Sequence, residues 1–431
     1  MGIETENGNM SRQFTVNVVT GQGGAGHYAT YYAIKAVAEQ RHLPWRFQVT
    51  DMDEIIENLS AENQIQNAYE KFGFSGHDLY NLMVKGGWTW LWPLKMRLNK
   101  LLVKMNHAVG VDIFEAYWRS QSPDLVVSVM PLYNKGLYES LQRSQPGTPY
   151  VTVLTDFADC PPAFWFDPDA NNTLVCGTEK AVLQAQEQGV DESRIVPSSG
   201  LVVHPDFYAQ RADTCSDDWR NQRRKTLGLR ADTPTGIVMF GGNGSDAMLE
   251  IAARLESLGD RAQFLFMCGR NDSVAESLRA YEGPQKRAVV GFTDEMADYM
   301  SLADFFVGKP GNVSVSEALT MKLPVITECN WATMSQERYC AQWVEEQRVG
   351  LVIRSFKGVA RAVGQMIEPA TFAQMKENLE QIDNRAVFEV VDLLEKIARE
   401  TLDSKAADNR IGHSSGIERD SGSVARCESV V

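Results

Sequence analysis

Twice along this chain a short strand-like run breaks into a glycine-rich turn, and each time further such runs follow with helical stretches between them, the longest from Ser60 to Ser120. The first series opens at residues 14–20, meets Gly21-Gln22-Gly23-Gly24-Ala25-Gly26-His27, and continues at 45–51, 123–129, 149–154 and 173–176. The second opens at 236–240, meets Gly241-Gly242-Asn243-Gly244-Ser245, and continues at 263–268, 287–291, 304–307, 324–327 and 350–353. Short apolar runs alternating with helical stretches build parallel sheets with right-handed crossovers, and 431 residues exceed one ordinary domain. The expectation is an α/β protein of two Rossmann-like parallel-sheet domains facing across a cleft, at 13–203 and 204–403, joined by an extended stretch over 200–207. A polar tail, 1–12, precedes them, and a Ser-, Gly-, Asp- and Arg-rich tail, 404–431, is expected to be disordered.

In such sheets ligands gather where strands end. The stretch 304–326 places Gly308-Lys309-Pro310-Gly311-Asn312-Val313 after an apolar run and before a helix, a seat where free N–H groups meet a diphosphate. Glu317 follows about one and a half turns into that helix, near enough to take hydrogen bonds from a sugar diol, or simply to complement the dipole. In the first domain Gly21, Gly23 and Gly26 satisfy GxGxxG, with Asp51 or Asp53 where a dinucleotide fold holds its ribose. A nicotinamide-dependent oxidoreductase is therefore a rival reading. His27 falls in the first helical turn, where the dipole favours the neutral ring and hence a general base. Asp156 closes the 149–154 run at another strand end, as an acceptor-binding or His27-orienting group, or as a plain turn residue.

Trp88, Trp90 and Trp92 precede Lys95, Arg97, Lys100 and Lys104 among leucines and methionines. Indoles ahead of a basic amphipathic segment fit a membrane surface with anionic lipid over 85–105; the same spacing also fits an ordinary core helix. The formal net charge of −14 makes that basic run stand out and opposes a general nucleic-acid binder. Seven scattered cysteines without a CxxC pair fit a reducing compartment and neither a disulfide frame nor a zinc site. With no signal-like or spanning apolar stretch, the expected location is cytoplasmic, peripheral to a membrane.

Six short motifs share their order with a known family: Gly24-Ala25-Gly26-His27, Thr155-Asp156-Phe157, Met267 to Asn271, Gly291-Phe292, Lys309-Pro310-Gly311 with Ser316-Glu317-Ala318, and Gln336-Glu337. From about Val16 to about Leu394 the chain resembles glycosyltransferase family 28 enzymes of the GT-B fold, close to the monogalactosyldiacylglycerol synthases and the processive diacylglycerol glucosyltransferases. The resemblance implies inverting transfer of galactose or glucose from a UDP-sugar to the hydroxyl of 1,2-diacylglycerol, with no cofactor and no catalytic metal. It implies His27 as the acceptor-activating residue beside Gly26, and Glu317 on the ribose. The main chain from Lys309 and Pro310 through Gly311, Asn312 and Val313 would hold the diphosphate. Gly241, Gly242, Asn243, Gly244, Ser245 and Arg270 would line the cleft, Phe292 and Met296 the uracil, and Gln336 with Glu337 the donor hexose. The chain departs from the family pattern at Ala25, at Met334-Ser335, at Pro161, and at Asn312, where a second glycine is usual. A UDP-sugar enzyme of the same fold acting on a polyprenyl or small-molecule acceptor is the alternative within the fold.

Overall fold

A computed structural model describes residues 13–21, 25–52, 55, 97, 100–101, 103–161, 163–209 and 216–414. The expected tail 1–12, Gly23, Gly24, Asp53, and Trp88, Trp90 and Trp92 lie outside these residues, as does 415–431.

The strands are β1 (Phe14–Thr20), β2 (Trp45–Asp51), β3 (Leu125–Ser128), β4 (Tyr150–Val153), β5 (Thr173–Cys176) and β6 (Ile195–Pro197) in the first sheet. β7 (Thr235–Met239), β8 (Gln263–Met267), β9 (Arg287–Val290), β10 (Phe305–Gly308), β11 (Val325–Glu328) and β12 (Gly350–Ile353) form the second. Every pairing is parallel, with Val18 opposite both Val49 and Val127, and Val307 opposite Val238. Strand order is β2-β1-β3-β4-β5-β6 and β12-β11-β10-β7-β8-β9. Both sheets are therefore doubly wound, and each reverses direction beside its first strand, between β1 and β3 and between β7 and β10.

Period-two alternation divides each strand between two cores. In the second sheet Ile237, Met239, Leu265, Met267 and Phe306 face one core, while Val238, Phe264, Phe266, Phe305 and Val307 face the other. Side chains buried on both faces explain why these strands read as unbroken apolar runs in the sequence. The strand β6 lacked that signature: it has three residues, one of them proline, and was not anticipated. Polar side chains start several helices, with Thr178 capping Glu179–Glu187 and Asn271 capping Asp272–Ala280.

The carboxyl-terminal chain departs from expectation. The helix Ala386–Ser414 packs Val387, Val390, Val391, Leu394 and Ala398 against Val16 and Val18 of the first sheet and Ile34 of the helix Ala25–Gln40. Helix continues through residues 404–414, which were expected to be disordered. Lys405 Nζ donates to Asp124 Oδ1 at 2.6 Å, and Asp124 in turn accepts the Thr15 N–H at 2.9 Å. Ala406 and Ala407 extend the helix at low conformational cost. The stretch 200–207 packs closely: Leu201, Val202 and Val203 are buried, and Asn384 Nδ2 donates to the Leu201 carbonyl at 2.9 Å.

Candidate active site

Three loops converge at the carboxyl ends of β7, β8 and β10. Gly244 follows β7 with φ +61°, and a Cβ there would lie 2.3 Å from the Cys268 carbonyl oxygen. Gly269 follows β8 with φ +56°, and its Cβ would meet the Gly242 carbonyl oxygen at 2.2 Å. Glycine alone satisfies both demands, so the two loops interlock backbone to backbone. The Gly241 turn closes by a Gly244 N–H to Gly241 carbonyl bond of 3.1 Å, and Arg270 N–H reaches the Gly242 carbonyl at 2.9 Å. Ser245 Oγ accepts from Ala247 N–H at 3.3 Å and opens the next helix, while Asn243 stands exposed at the tip. Lys309, from the β10 loop, brings its Cε within 3.6 Å of a Cβ position on Gly311 and within 4.0 Å of one on Gly241.

The helix Asn312–Thr320 starts on Gly311, which provides no side-chain cap. Its first N–H groups and positive end thus open toward the crevice at the switch point beside β7, the anion seat read from the sequence. Val313, in its first turn, faces the other domain: a Cβ on Gly26 would stand 3.1 Å from Val313 Cγ2. Glu317 lies four residues beyond Val313 and shares its helix face. It is partly buried, and among the described residues no cation or side-chain donor offsets that burial, which pushes its carboxyl up to about 8.

Gly26 and His27 belong to the helix Ala25–Gln40, which follows β1. His27 Nδ1 lies 2.6 Å from the Val129 carbonyl oxygen at the end of β3, so Nδ1 carries the proton and Nε2 is the basic atom of the ring. Thr155 Oγ1 approaches the same Nδ1 at 3.4 Å. Asp156 does not orient His27. Its Oδ2 accepts the Trp165 indole N–H at 2.8 Å, and its Oδ1 accepts Asn312 Nδ2 from the other domain. Successive residues leaving β4 point to opposite sides, which gives Thr155 to the histidine and Asp156 to the seat. Burial pushes the Asp156 carboxyl up to about 7, against the lowering effect of the bonds from Trp165 and Asn312. In the sequence Thr155 stood only as the first residue of the Thr155-Asp156-Phe157 motif and Val129 as the last of an apolar run; no local signal ties either to His27.

The remaining sequence candidates distribute around this crevice. Lys309 Nζ pairs with Glu337 Oε1 at 2.9 Å, joining the seat to the start of the helix Ser335–Glu346. Gln336 sits beside it, its amide 4.0 Å from Met334 Sδ and its carbonyl 3.4 Å from Ser335 Oγ. The Arg270 guanidinium stacks 3.9 Å over the Phe292 ring, which is 52% exposed. Met296 packs partly buried against the second-domain core. Phe157 meets Trp343 edge-on at 5.4 Å, joining apolar surface of the two domains. Tyr28 donates to Asp51, the acid considered for a dinucleotide ribose. Among the described residues no group of three or more His, Cys, Asp or Glu side chains is arranged to hold a metal ion.

The model of the monogalactosyldiacylglycerol synthase family matches residues 33–203, and the glycosyltransferase family 28 C-terminal domain matches residues 237–397. The chain belongs to glycosyltransferase family 28. Among curated relatives of this family 28 chain is monogalactosyldiacylglycerol synthase 2, chloroplastic, of Arabidopsis thaliana, 29% identical over 341 residues, 74% of this chain and 70% of that protein. The monogalactosyldiacylglycerol synthase, chloroplastic, of Spinacia oleracea is 25% identical over 90% of this chain and 73% of its own length. Solved structures place the family 28 chain in the GT-B fold. Acinetobacter baumannii MurG superposes with a TM-score of 0.56 at 13% identity, covering 89% of this chain and 99% of that one. A UDP-GlcNAc 2-epimerase from Neisseria meningitidis, bound to UDP-GlcNAc, gives 0.54 at 12% identity over 89% and 100%.

Proposed function

We propose that this family 28 chain transfers a hexose from a UDP-sugar to the free hydroxyl of 1,2-diacylglycerol, with inversion, to form a glycolipid. The observation that carries the reading is the contact between Gly26 and Val313, which sets His27 against the amino end of the helix Asn312–Thr320. Relatives named monogalactosyldiacylglycerol synthases support the acceptor class and favour galactose.

The residues divide the work. His27 Nε2 accepts the proton of the lipid hydroxyl as its oxygen attacks the anomeric carbon from the face opposite the diphosphate. The bond from that carbon to phosphate oxygen breaks, and UDP leaves with the electron pair. Helix amides at Asn312 and Val313 and the Lys309 ammonium lie where the new negative charge develops, so preorganised donors stabilise it. We assign no step to a metal ion. Glu317 binds the ribose diol, Phe292 and Met296 frame the uracil, and Gln336 with Glu337 read the hexose. Asp156 belongs to the crevice wall facing the seat, on the acceptor side.

A lipid acceptor brings the enzyme to a membrane surface. Leu101, Met105 and Val109, spaced four residues apart, are exposed, and Arg97, Lys100 and Lys104 stand exposed among them. Apolar side chains interleaved with cations fit peripheral contact with anionic lipid, continuing the Trp88 to Trp92 segment. No helix among the described residues is long and apolar enough to cross a membrane. The test offers radiolabelled UDP-galactose and UDP-glucose with diacylglycerol in mixed micelles, followed by chromatography of the lipids and assignment of the anomer. A β-linked monohexosyl diacylglycerol is expected from an α-linked donor; absence of labelled lipid with both donors overturns the reading.

A further inference from the structure

The helix Asn312–Thr320 begins with a side chain that a diphosphate seat does not require. The seat uses main-chain N–H groups, which any residue supplies, yet Asn312 is only 9% exposed and its amide is held from across the crevice. Nδ2 donates to Asp156 Oδ1, and the second Asp156 oxygen is anchored by the Trp165 indole at 2.8 Å. An ionised Asp156 only accepts, so in that form the contact fixes which end of the amide faces it. The other end, Oδ1, is buried and has no hydrogen-bond partner among the described residues.

An amide oxygen in that position calls for a donor, and the ligand proposed for this crevice offers few. Phosphate oxygens are acceptors and cannot supply one. The ribose diol is assigned to Glu317, five residues along the helix and about 7.5 Å away along its axis, and the base lies beyond it. What remains at the first residue of the helix is the sugar on the far side of the diphosphate. We infer that Asn312 is a sugar-reading residue whose Oδ1 accepts a hydrogen bond from a hydroxyl of the transferred hexose, and that Asp156 is the positioning residue that aims its amide.

This rests on the reading of the crevice as a UDP-sugar site, and calorimetry separates the two. UDP, UDP-galactose and UDP-glucose are titrated into the wild type, N312A, D156A and the double variant. N312A is expected to bind UDP within twofold of the wild type while the matching UDP-hexose weakens five- to tenfold. D156A shifts the same balance in the same direction, and D156A adds nothing once N312A is present. N312S, which also lacks the amide carbonyl, gives the same reading should N312A fail to fold. Equal weakening of UDP and UDP-hexose in N312A, or an unchanged gap between them, overturns the inference alone. A wild type that binds no UDP overturns the transferase reading and this inference together.

Discussion

Replacing Glu317 with Gln keeps the shape of the side chain and removes its titration. In the folded protein burial moves this carboxyl from its ordinary 4.5 up to about 8, with no charge partner among the described residues to reverse the effect. Between those two values the folded state holds a proton that the unfolded chain has released, so stability falls as pH rises and levels off above about pH 8. Converted in full at about 1.4 kcal/mol per pH unit, the displacement amounts to about 5 kcal/mol. The side chain is only partly buried, and crevice water screens the ion, which brings the expected effect to about 2–4 kcal/mol. Asp156, with its carboxyl raised to about 7, drives the wild type in the same direction, so the informative quantity is the difference between E317Q and wild type. Urea unfolding at pH 5 and pH 9 gives that difference at each end. E317Q is expected to gain about 2–4 kcal/mol on the wild type between the two pH values, because glutamine does not ionise. A difference that is the same at both refutes the claim that burial holds the Glu317 carboxyl neutral.

Three further expectations follow, two from the same geometry and one from the sequence of the Trp88 to Trp92 segment. His27→Ala is expected to abolish hexose transfer, by a factor of at least about a hundred, while UDP affinity stays nearly unchanged; calorimetry showing lost UDP binding removes the base assignment. Gly244→Ala places a Cβ 2.3 Å from the Cys268 carbonyl at φ +61°, so the β7 and β8 loops must separate. Donor affinity is expected to fall at least about tenfold, with about 1–3 kcal/mol lost in thermal or urea unfolding, and wild-type values on both counts contradict the interlock. Replacing Trp88, Trp90 and Trp92 together with Ser is expected to lower cosedimentation with anionic vesicles, and unchanged sedimentation assigns those indoles to the protein interior.

Local chemistry made much of the site legible before any coordinates. Eleven of the strands announce themselves, the inner ones because side chains buried on both faces leave apolar runs and the edge strand β2 by alternation, and glycine turns follow β1 and β7. The seat at Gly311 and the position of His27 in a first helical turn are properties of neighbouring residues. Glu317 could be placed on that helix, although its neutral carboxyl could not be read, since that depends on what surrounds it. The short strand β6 and the helical course of 404–414 escaped because their support comes from elsewhere: Leu174 and Val175 beside β6, and Asp124 beneath Lys405.

Sequence by itself determined the two doubly wound sheets, the loops at their strand ends and the residue types gathered there. Periodicity and turn chemistry act over a few residues and are written in order along the chain. Only tertiary structure decided which groups meet: His27 with a carbonyl 102 residues away, Asp156 with Asn312 at a separation of 156, and Lys405 with Asp124 at 281. The first pair is set by the pairing of β1 with β3 inside one sheet, the second by how the two domains pack, and the third by the return of the last helix to the first sheet. No local rule encodes a contact whose two halves belong to different domains.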